Sequence, residues 1–166
     1  MKVNFAGNEI DLGENQVKPY DKAPEFKAIK NDMSIFDSKE TLGKTVVYSV
    51  VPSIDTGVCS LQARTFNEEA EKLGDNLLVV TISCDLPFAQ KRFCATEGIN
   101  NSITVSDYRF HDFGKKYGFL MDDLKLLSRG VVIADKDGKV AYVEYVKEVS
   151  HEVDFESALR EVKKLI

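Results

Sequence analysis

The amino-acid sequence predicts an α/β fold with a mixed sheet, and three observations support that prediction. Apolar runs typical of buried strands alternate with segments of helical spacing through the middle of the chain. The predicted strand at 45–51 is apolar on both faces, which is typical of a strand at the centre of a sheet. A hairpin pattern followed by an amphipathic helix closes the chain. We therefore expect a sandwich in which helices flank a central mixed sheet.

The individual elements follow from local signals. An N-terminal β-hairpin is expected over 2–12, because Gly7-Asn8 separates two short alternating runs. The helices expected at 64–73 and 87–97 end at Gly74 and Gly98. The other predicted elements are strands at 26–30, 33–36, 45–51, 76–83, 102–105, 127–134 and 139–146, a helical turn at 38–44, and helices at 109–117 and 154–166. The sequence contains no repeat or linker, so we expect a single domain over 1–166.

Composition and charge exclude several classes of function. The 166 residues carry a formal net charge of −5, which argues against binding to nucleic acid or to an anionic membrane. No apolar run approaches the roughly 20 residues that a membrane helix needs, and the N-terminus lacks the apolar core of a secretion signal. Three cysteines are too few for a secreted disulfide scaffold. We expect a cytoplasmic protein.

One short run contains the strongest chemical signal. Pro52, Thr56 and Cys59 stand at the spacing Pro-x-x-x-Thr-x-x-Cys, directly after the predicted central strand and before a helical segment. Backbone N–H groups are unpaired at a helix start and the helix dipole is positive there, so a thiolate is favoured. The thiolate is the nucleophilic form of cysteine. The run therefore indicates redox chemistry at Cys59.

Other interpretations of these residues exist. A lone cysteine is often an inert, buried, small apolar residue, but the polar, glycine-containing loop argues that Cys59 is not buried. Thr56 can act as a helix cap as well as in catalysis. Arg129, taken alone, is an ordinary residue of a strand, and the sequence does not place it near Cys59.

Motifs for other chemistries are missing from the sequence. His111 and His151 form no metal-ligand spacing and are expected at the surface, so we predict no metal site and no cofactor. The turn at 135–138 is too short for a calcium loop. No Cys-x-x-Cys is present, which argues against a thioredoxin or glutaredoxin.

The order of elements and three motifs resemble the peroxiredoxins, the peroxidases of the thioredoxin-fold superfamily. The active-site run at 52–59 and the segment at 85–94, which ends at Cys94, are similar to those of the thiol peroxidase subfamily, the atypical two-cysteine peroxiredoxins. The strand at 127–132 resembles the one that bears the family's active-site arginine, here Arg129. The resemblance extends over nearly the whole chain and implies a thioredoxin-like fold.

The resemblance also implies roles for residues. Cys59 would be the peroxidatic cysteine, Cys94 the resolving cysteine, and Arg129 the group that holds the thiolate and binds peroxide. Thr56 would hold thiolate and peroxide together, and Pro52 would shield the pocket from water. An ordinary thiol is only about 3% thiolate at pH 7, so lowering its pKa can increase the thiolate fraction roughly 30-fold at most. Fixed donors are therefore needed to polarise the O–O bond.

The second step needs a partner thiol. A sulfenic acid at Cys59 would condense with another cysteine, and the resemblance favours Cys94, although three cysteines allow three pairings. Cys84 has no motif role and is expected to be structural. Since Cys59 and Cys94 both fall in predicted helices, we hypothesise that the Cys59 turn and the Cys94 helix unfold locally to meet the ~7 Å Cα limit of a disulfide.

The sequence as a whole predicts a thiol peroxidase that reduces hydrogen peroxide and organic hydroperoxides. By resemblance it acts as a homodimer, is recycled by thioredoxin and serves antioxidant defence. Two rival classes stay open at this point. One is a peroxide-sensing relay protein that uses the same cysteines, and the other is a thioredoxin-fold binding module with incidental cysteines.

Overall fold

A seven-stranded mixed sheet forms the centre of the protein in the computed structural model, which describes residues 1–166. The strands are β1 (Lys2–Phe5), β2 (Asn8–Asp11), β3 (Lys27–Lys30), β4 (Ile35–Asp37), β5 (Thr45–Val50), β6 (Leu77–Ser83), β7 (Ile103–Ser106), β8 (Leu120–Met121), β9 (Leu126–Leu127), β10 (Gly130–Ala134) and β11 (Val140–Tyr145). The helices are α1 (Gly57–Leu73), α2 (Pro87–Glu97), α3 (Asp112–Tyr117) and α4 (Phe155–Leu165).

The main sheet has the strand order β11-β10-β5-β6-β7-β3-β4. Strands β5, β6 and β7 are parallel neighbours, whereas β3, β4, β10 and β11 pair antiparallel. All six residues of β5 are buried, because helices cover both faces of the parallel part of the sheet. The predicted α/β fold with a central mixed sheet and an N-terminal hairpin is confirmed.

The two faces of the sheet have separate apolar cores. On one face, Phe26, Tyr48, Phe113 and Tyr117 form a fully buried aromatic group in which α3 packs on the sheet. On the other face, residues of α1 and α4 pack against β5, β6 and β10. Because Tyr48 and Val47 alternate along β5, that strand contributes to both cores. Strand β5 is therefore covered on both faces.

Helix α1 begins earlier than predicted, and α3 begins later. Helix α1 starts at Gly57, so that Cys59 lies in its first turn as expected. Helix α3 starts at Asp112 and not at 109, because His111 has a φ of 47°, outside the right-handed helical region.

Two predicted β segments also differ from the structure. The first hairpin turns at Ala6-Gly7, where both residues have positive φ, and not at Gly7-Asn8. The strand expected over 127–134 is interrupted: Leu127 pairs with Leu120 in a separate two-stranded ladder, and β10 begins only at Gly130. Arg129 therefore lies just before the strand and not within it.

Candidate active site

The end of β5 and the start of α1 place Cys59 at the edge of the sheet. After β5 ends at Val50, the buried Pro52 begins a loop that reaches the helix at Gly57. Thr56 is the N-cap of α1, and its hydroxyl oxygen accepts a hydrogen bond from the Cys59 backbone N–H at 3.3 Å. The sulfur thus belongs to the first turn of a 17-residue helix, where the helix dipole favours negative charge.

Burial of Cys59 is opposite to the expectation from sequence. Its relative exposure is 0%, and it packs with Val51, Ile54 and the half-buried Phe93. The polar loop residues Asp55 and Thr56 are exposed, but the helix turns the cysteine inward beneath them. Loop polarity was therefore a wrong guide to the environment of the sulfur.

Arg129 reaches the buried sulfur. The side chain of Arg129 is itself buried, with 2% exposure, and its Nη2 donates to Cys59 Sγ at 3.1 Å. Its Nε donates to the Val149 carbonyl oxygen at 2.7 Å, and its Nη1 donates to Gln62 Oε1 at 3.1 Å. None of the protein's ion pairs involves Arg129. A buried cation without a carboxylate partner is costly, so the guanidinium favours an anion on the sulfur.

Gln62 fixes the orientation of this guanidinium. It lies one turn after Cys59 on α1, is 1% exposed and accepts from Arg129. Its amide nitrogen is within hydrogen-bond distance of Ser49 Oγ at 2.9 Å, with the Val50 and Gly130 carbonyl oxygens at 3.3 Å each. Gln62 therefore connects the arginine to both β5 and β10.

Close packing at the start of β10 also constrains Arg129. A Cβ atom at Gly130 would collide with the Glu144 carbonyl oxygen and with the Phe119 ring. Glycine is therefore required directly after the arginine, and it lets the chain pass close to β11.

Asp85 tethers the loop that precedes Cys59. Its carboxylate accepts hydrogen bonds from the Ser53 hydroxyl at 2.8 Å, the Ile54 backbone N–H at 2.9 Å and the Ser83 hydroxyl at 2.6 Å. Asp85 follows the end of β6, which is the parallel neighbour of β5. One carboxylate thus holds the Ser53-Ile54 segment against the edge of the sheet.

Among the predicted site residues, Thr56, Cys59 and Arg129 come together around the first turn of α1. The Thr56 hydroxyl contacts the backbone of Cys59, whereas Arg129 contacts its sulfur. Pro52 is buried between β5 and the loop. The arrangement offers a buried thiol, a fixed cation and a nearby hydroxyl.

Cys94 lies apart from this group. Its sulfur is 3.1 Å from the Thr104 hydroxyl on β7 and borders a cavity of about 450 Å³ that Phe36 and Leu78 also line. The preceding residue, Phe93, packs on the cluster around Cys59, so adjacent side chains of α2 face different regions. All three cysteines are free thiols.

Cys84 is half-buried at the end of β6 and packs against the aromatic core. Burial raises the pKa of its thiol to about 12, and the nearby Asp107 and Asp85 carboxylates add to the shift. Its sulfur lies 3.8 Å from His111 Nδ1. His111 is therefore half-buried beside a thiol and is not the surface residue expected from sequence, whereas His151 is exposed.

Comparison with known proteins gives a consistent result. The family model described as Redoxin matches residues 18–160. The chain belongs to the redoxin family. It is 48% identical over 162 residues to a thiol peroxidase from Oceanobacillus iheyensis, and the alignment covers 98% of each chain. It is 46% identical over 164 residues to a thiol peroxidase from Staphylococcus aureus, and that alignment covers 99% of each chain.

Structural comparison supports the same family. A peroxiredoxin-like protein from Aquifex aeolicus superposes with a TM-score of 0.88 at 38% identity, over 99% of this chain and 97% of that one. This redoxin is thus a peroxide-reducing enzyme with a peroxiredoxin fold, as the sequence predicts. None of its α-helices has the length and hydrophobicity that crossing a bilayer requires.

Sequence reasoning missed Gln62 and Asp85. Gln62 stands one helical turn after Cys59, a spacing that places both on one side of α1 and could have indicated a shared site. Asp85 follows a buried strand that is the parallel neighbour of the strand before Cys59, and the carboxyl ends of such strands meet at one edge. Both signals exist in the sequence, but they identify these two residues as neighbours of Cys59 only once the order of the strands in the sheet is known.

The tether at Asp85 can be tested by Asp85→Asn. The amide cannot accept at both oxygen positions, so either Ser53 or Ile54 loses its acceptor, and we expect the free energy of unfolding to fall by about 1–3 kcal/mol. Hydrogen exchange of the segment 51–58, measured by mass spectrometry, should become at least roughly 10-fold faster.

The matched control is Asp55→Asn, in the same loop. Asp55 is exposed and its carboxylate accepts no hydrogen bond, so this variant should exchange like the parent. Equal exchange in the Asp85 variant and in the control would show that the carboxylate does not hold the loop.

Proposed function

We propose that this redoxin reduces hydrogen peroxide and organic hydroperoxides through a Cys59 sulfenic acid and an intramolecular Cys59–Cys94 disulfide. The observation that carries the proposal is the 3.1 Å contact between the buried Arg129 guanidinium and Cys59 Sγ. The contact places a permanent positive charge and a fixed hydrogen-bond donor beside the sulfur. Attack on a peroxide needs both, the charge to favour a thiolate and the donor to polarise the O–O bond.

In the first step the Cys59 thiolate attacks the terminal oxygen of the hydroperoxide. An S–O bond forms, the O–O bond breaks, and its electron pair leaves on the second oxygen as alkoxide or hydroxide. That oxygen takes up a proton and departs as alcohol or water. Arg129, which is permanently charged, would stabilise the negative charge on the departing oxygen, and Thr56 would hydrogen-bond the bound peroxide. The buried Pro52 would keep bulk water away from the sulfur.

In the second step the Cys94 thiolate attacks the Cys59 sulfur, an S–S bond forms, and the S–O bond breaks. The sulfenic oxygen leaves as hydroxide and takes up a proton to become water. Because Cys94 contacts Thr104 and not Cys59, α2 has to unwind or rotate near Cys94 before the sulfurs meet. A dithiol protein would then reduce the disulfide by exchange and become oxidised itself. By family resemblance we propose thioredoxin as that reductant.

The proposed setting follows the same resemblance. We propose a cytoplasmic homodimer in which each chain is one domain and contains both cysteines of its own cycle. A chain that reacts repeatedly in this way would act in antioxidant defence. No metal or other cofactor takes part in the proposed steps.

Two single substitutions test the assignment of the cysteines. Cys59→Ser should abolish peroxide consumption, because the hydroxyl is a poor nucleophile at neutral pH. Cys94→Ser should consume about one equivalent of peroxide per chain and then stop, as measured by peroxide loss in the presence of thioredoxin and its reductase.

Cys84→Ser is the matched control and should retain multiple turnovers, because the Cys84 thiol has no part in the proposed cycle. Sustained recycling by thioredoxin in the Cys94 variant would contradict the intramolecular disulfide, and turnover in the Cys59 variant would contradict the assignment of the nucleophile.

An ion pair between the two cysteine-bearing helices gives a second prediction. Arg64 on α1 donates to Glu97 Oε2 on α2 at 2.9 Å and to Ser60 Oγ at 2.9 Å. This contact holds α2 in its folded position, so Glu97→Gln should raise the rate of Cys59–Cys94 disulfide formation. The pair is partly exposed and weak, so we expect an increase of about 2- to 5-fold in stopped-flow measurements after one equivalent of peroxide.

Glu69→Gln is the control for this experiment. It removes the Glu69–Lys72 pair, which lies within α1 alone and does not contact α2. An equal rate change in both variants, or none in Glu97→Gln, would show that the inter-helix pair does not limit the rearrangement.

A further inference from the structure

Three side chains of metal-ligating type meet at a second place on the edge of the sheet. Cys84 follows β6, Asp107 follows β7, and His111 stands just before α3. Their ligand atoms all lie within 4.8 Å of one another. We call these residues the three-ligand cluster. Its cysteine, Cys84, packs against the aromatic core, whereas Cys59 belongs to a different apolar cluster.

The fold accounts for this meeting. β6 and β7 are parallel, and Ser83 pairs with Ser106, so the next residue of each strand, Cys84 and Asp107, emerges at the same edge. His111 returns to that edge because its backbone N–H donates to the Asp107 carbonyl oxygen at 2.8 Å. The carboxyl ends of parallel strands are where α/β sheets commonly bind ligands.

The backbone of His111, which has a positive φ, is a second unusual feature of the three-ligand cluster. At 47° the residue occupies the left-handed region, which is uncommon for a residue other than glycine. In this conformation the imidazole lies beside the sulfur, with Cys84 Sγ 3.8 Å from His111 Nδ1. The uncommon backbone conformation thus occurs at the residue whose ring contacts the thiol.

The distances suit a tetrahedral ion after a small adjustment. With zinc–sulfur and zinc–nitrogen bonds of about 2.3 and 2.05 Å, tetrahedral ligand atoms stand roughly 3.6 Å apart, close to the observed sulfur–nitrogen separation. A carboxylate oxygen and an imidazole nitrogen would stand roughly 3.3 Å apart. The widest pair must therefore close by up to about 1.5 Å, which rotations of the half-buried Cys84 and His111 side chains can supply.

The buried carboxylate has capacity for another partner. Asp107 is 0% exposed, and its Oδ1 and Oδ2 accept from the backbone N–H groups of Phe113 and Gly114 at 3.1 and 2.8 Å. Each carboxylate oxygen has a further lone pair, so helix capping and metal binding are compatible. A second carboxylate, that of Asp85, also lies near Cys84, while Lys115 and Lys125 lie on the side of His111.

We propose that Cys84, Asp107 and His111 form a binding site for a divalent transition-metal ion, with Zn²⁺ as the ion that the ligands suit best. A thiolate and an imidazole are ligands that zinc accepts and that magnesium and calcium do not favour. Water completes the tetrahedron. The site joins the end of β6 to the start of α3, and it lies outside the proposed peroxide chemistry.

The alternative is that the cluster contains no metal site. In that case Asp107 only caps α3 and Cys84 only hydrogen-bonds with His111. The two accounts differ in one measurable respect, because only a metal site forms a bond between Cys84 sulfur and an added ion.

The test uses the full-length Cys59→Ser/Cys94→Ser variant, in which Cys84 is the only thiol, titrated with Co²⁺ as a spectroscopic substitute for zinc. We expect a sulfur-to-cobalt charge-transfer band with one equivalent bound, and its loss when Zn²⁺ is added. Adding Cys84→Ala should remove the band. Adding His111→Asn should weaken Co²⁺ binding at least roughly 10-fold, and asparagine is chosen because it tolerates the left-handed conformation.

His151→Asn in the same background is the control, because His151 is exposed and outside the cluster. It should bind Co²⁺ like its parent. A second measurement is the thermal midpoint of the folded protein, which Zn²⁺ should raise in the parent and not in the His111 variant. Absence of the band up to millimolar Co²⁺, or the same band after Cys84→Ala, would overturn the proposal.

Discussion

The contact between a buried guanidinium and a buried sulfur is the constraint on which the site depends. Arg129 and Cys59 are both removed from water, at 2% and 0% exposure, and they are 3.1 Å apart. The other two hydrogen bonds of the guanidinium go to neutral oxygens, of Val149 and Gln62. An anion on the sulfur would balance this buried charge, and in the proposed reaction the same cation would stabilise the departing oxygen.

Hydrogen bonds and close packing hold Arg129 and the loop before Cys59 in place. Gln62 links the guanidinium to β5 and β10, and Asp85 at the end of β6 holds the loop that enters α1. Gly130 lets the chain pass closely by β11 directly after Arg129. Three neighbouring strands of one sheet thus position Arg129 and Cys59. Cys94, the proposed resolving cysteine, is on α2, where only Pro87 and Gln90 are buried, and this suits the proposed movement of that helix.

The fold and the place of Cys59 in the first turn of a helix were predictable from sequence because their signals are local. Apolar strands, helix-ending glycines and the Pro-x-x-x-Thr-x-x-Cys run each act within a few residues. The position of Arg129 beside Cys59 came from family resemblance, since the two lie 70 positions apart. The exposure of Cys59 was predicted wrongly because loop polarity does not report which way the first helical turn faces. The proximity of His111 to Cys84 depends on strand pairing and on one left-handed residue, neither of which the spacing of histidines reveals.

The most direct test of the central contact is Arg129→Lys, with the rate constant of the first step measured by stopped-flow reaction of the reduced enzyme with hydrogen peroxide. A lysine keeps the charge but cannot bond the sulfur, Gln62 and Val149 in one plane, so we expect the rate constant to fall at least about 100-fold. Arg64→Lys, which alters a partly exposed arginine on α1, should change it less than about 3-fold. A rate constant for Arg129→Lys within about 3-fold of the parent would contradict the account.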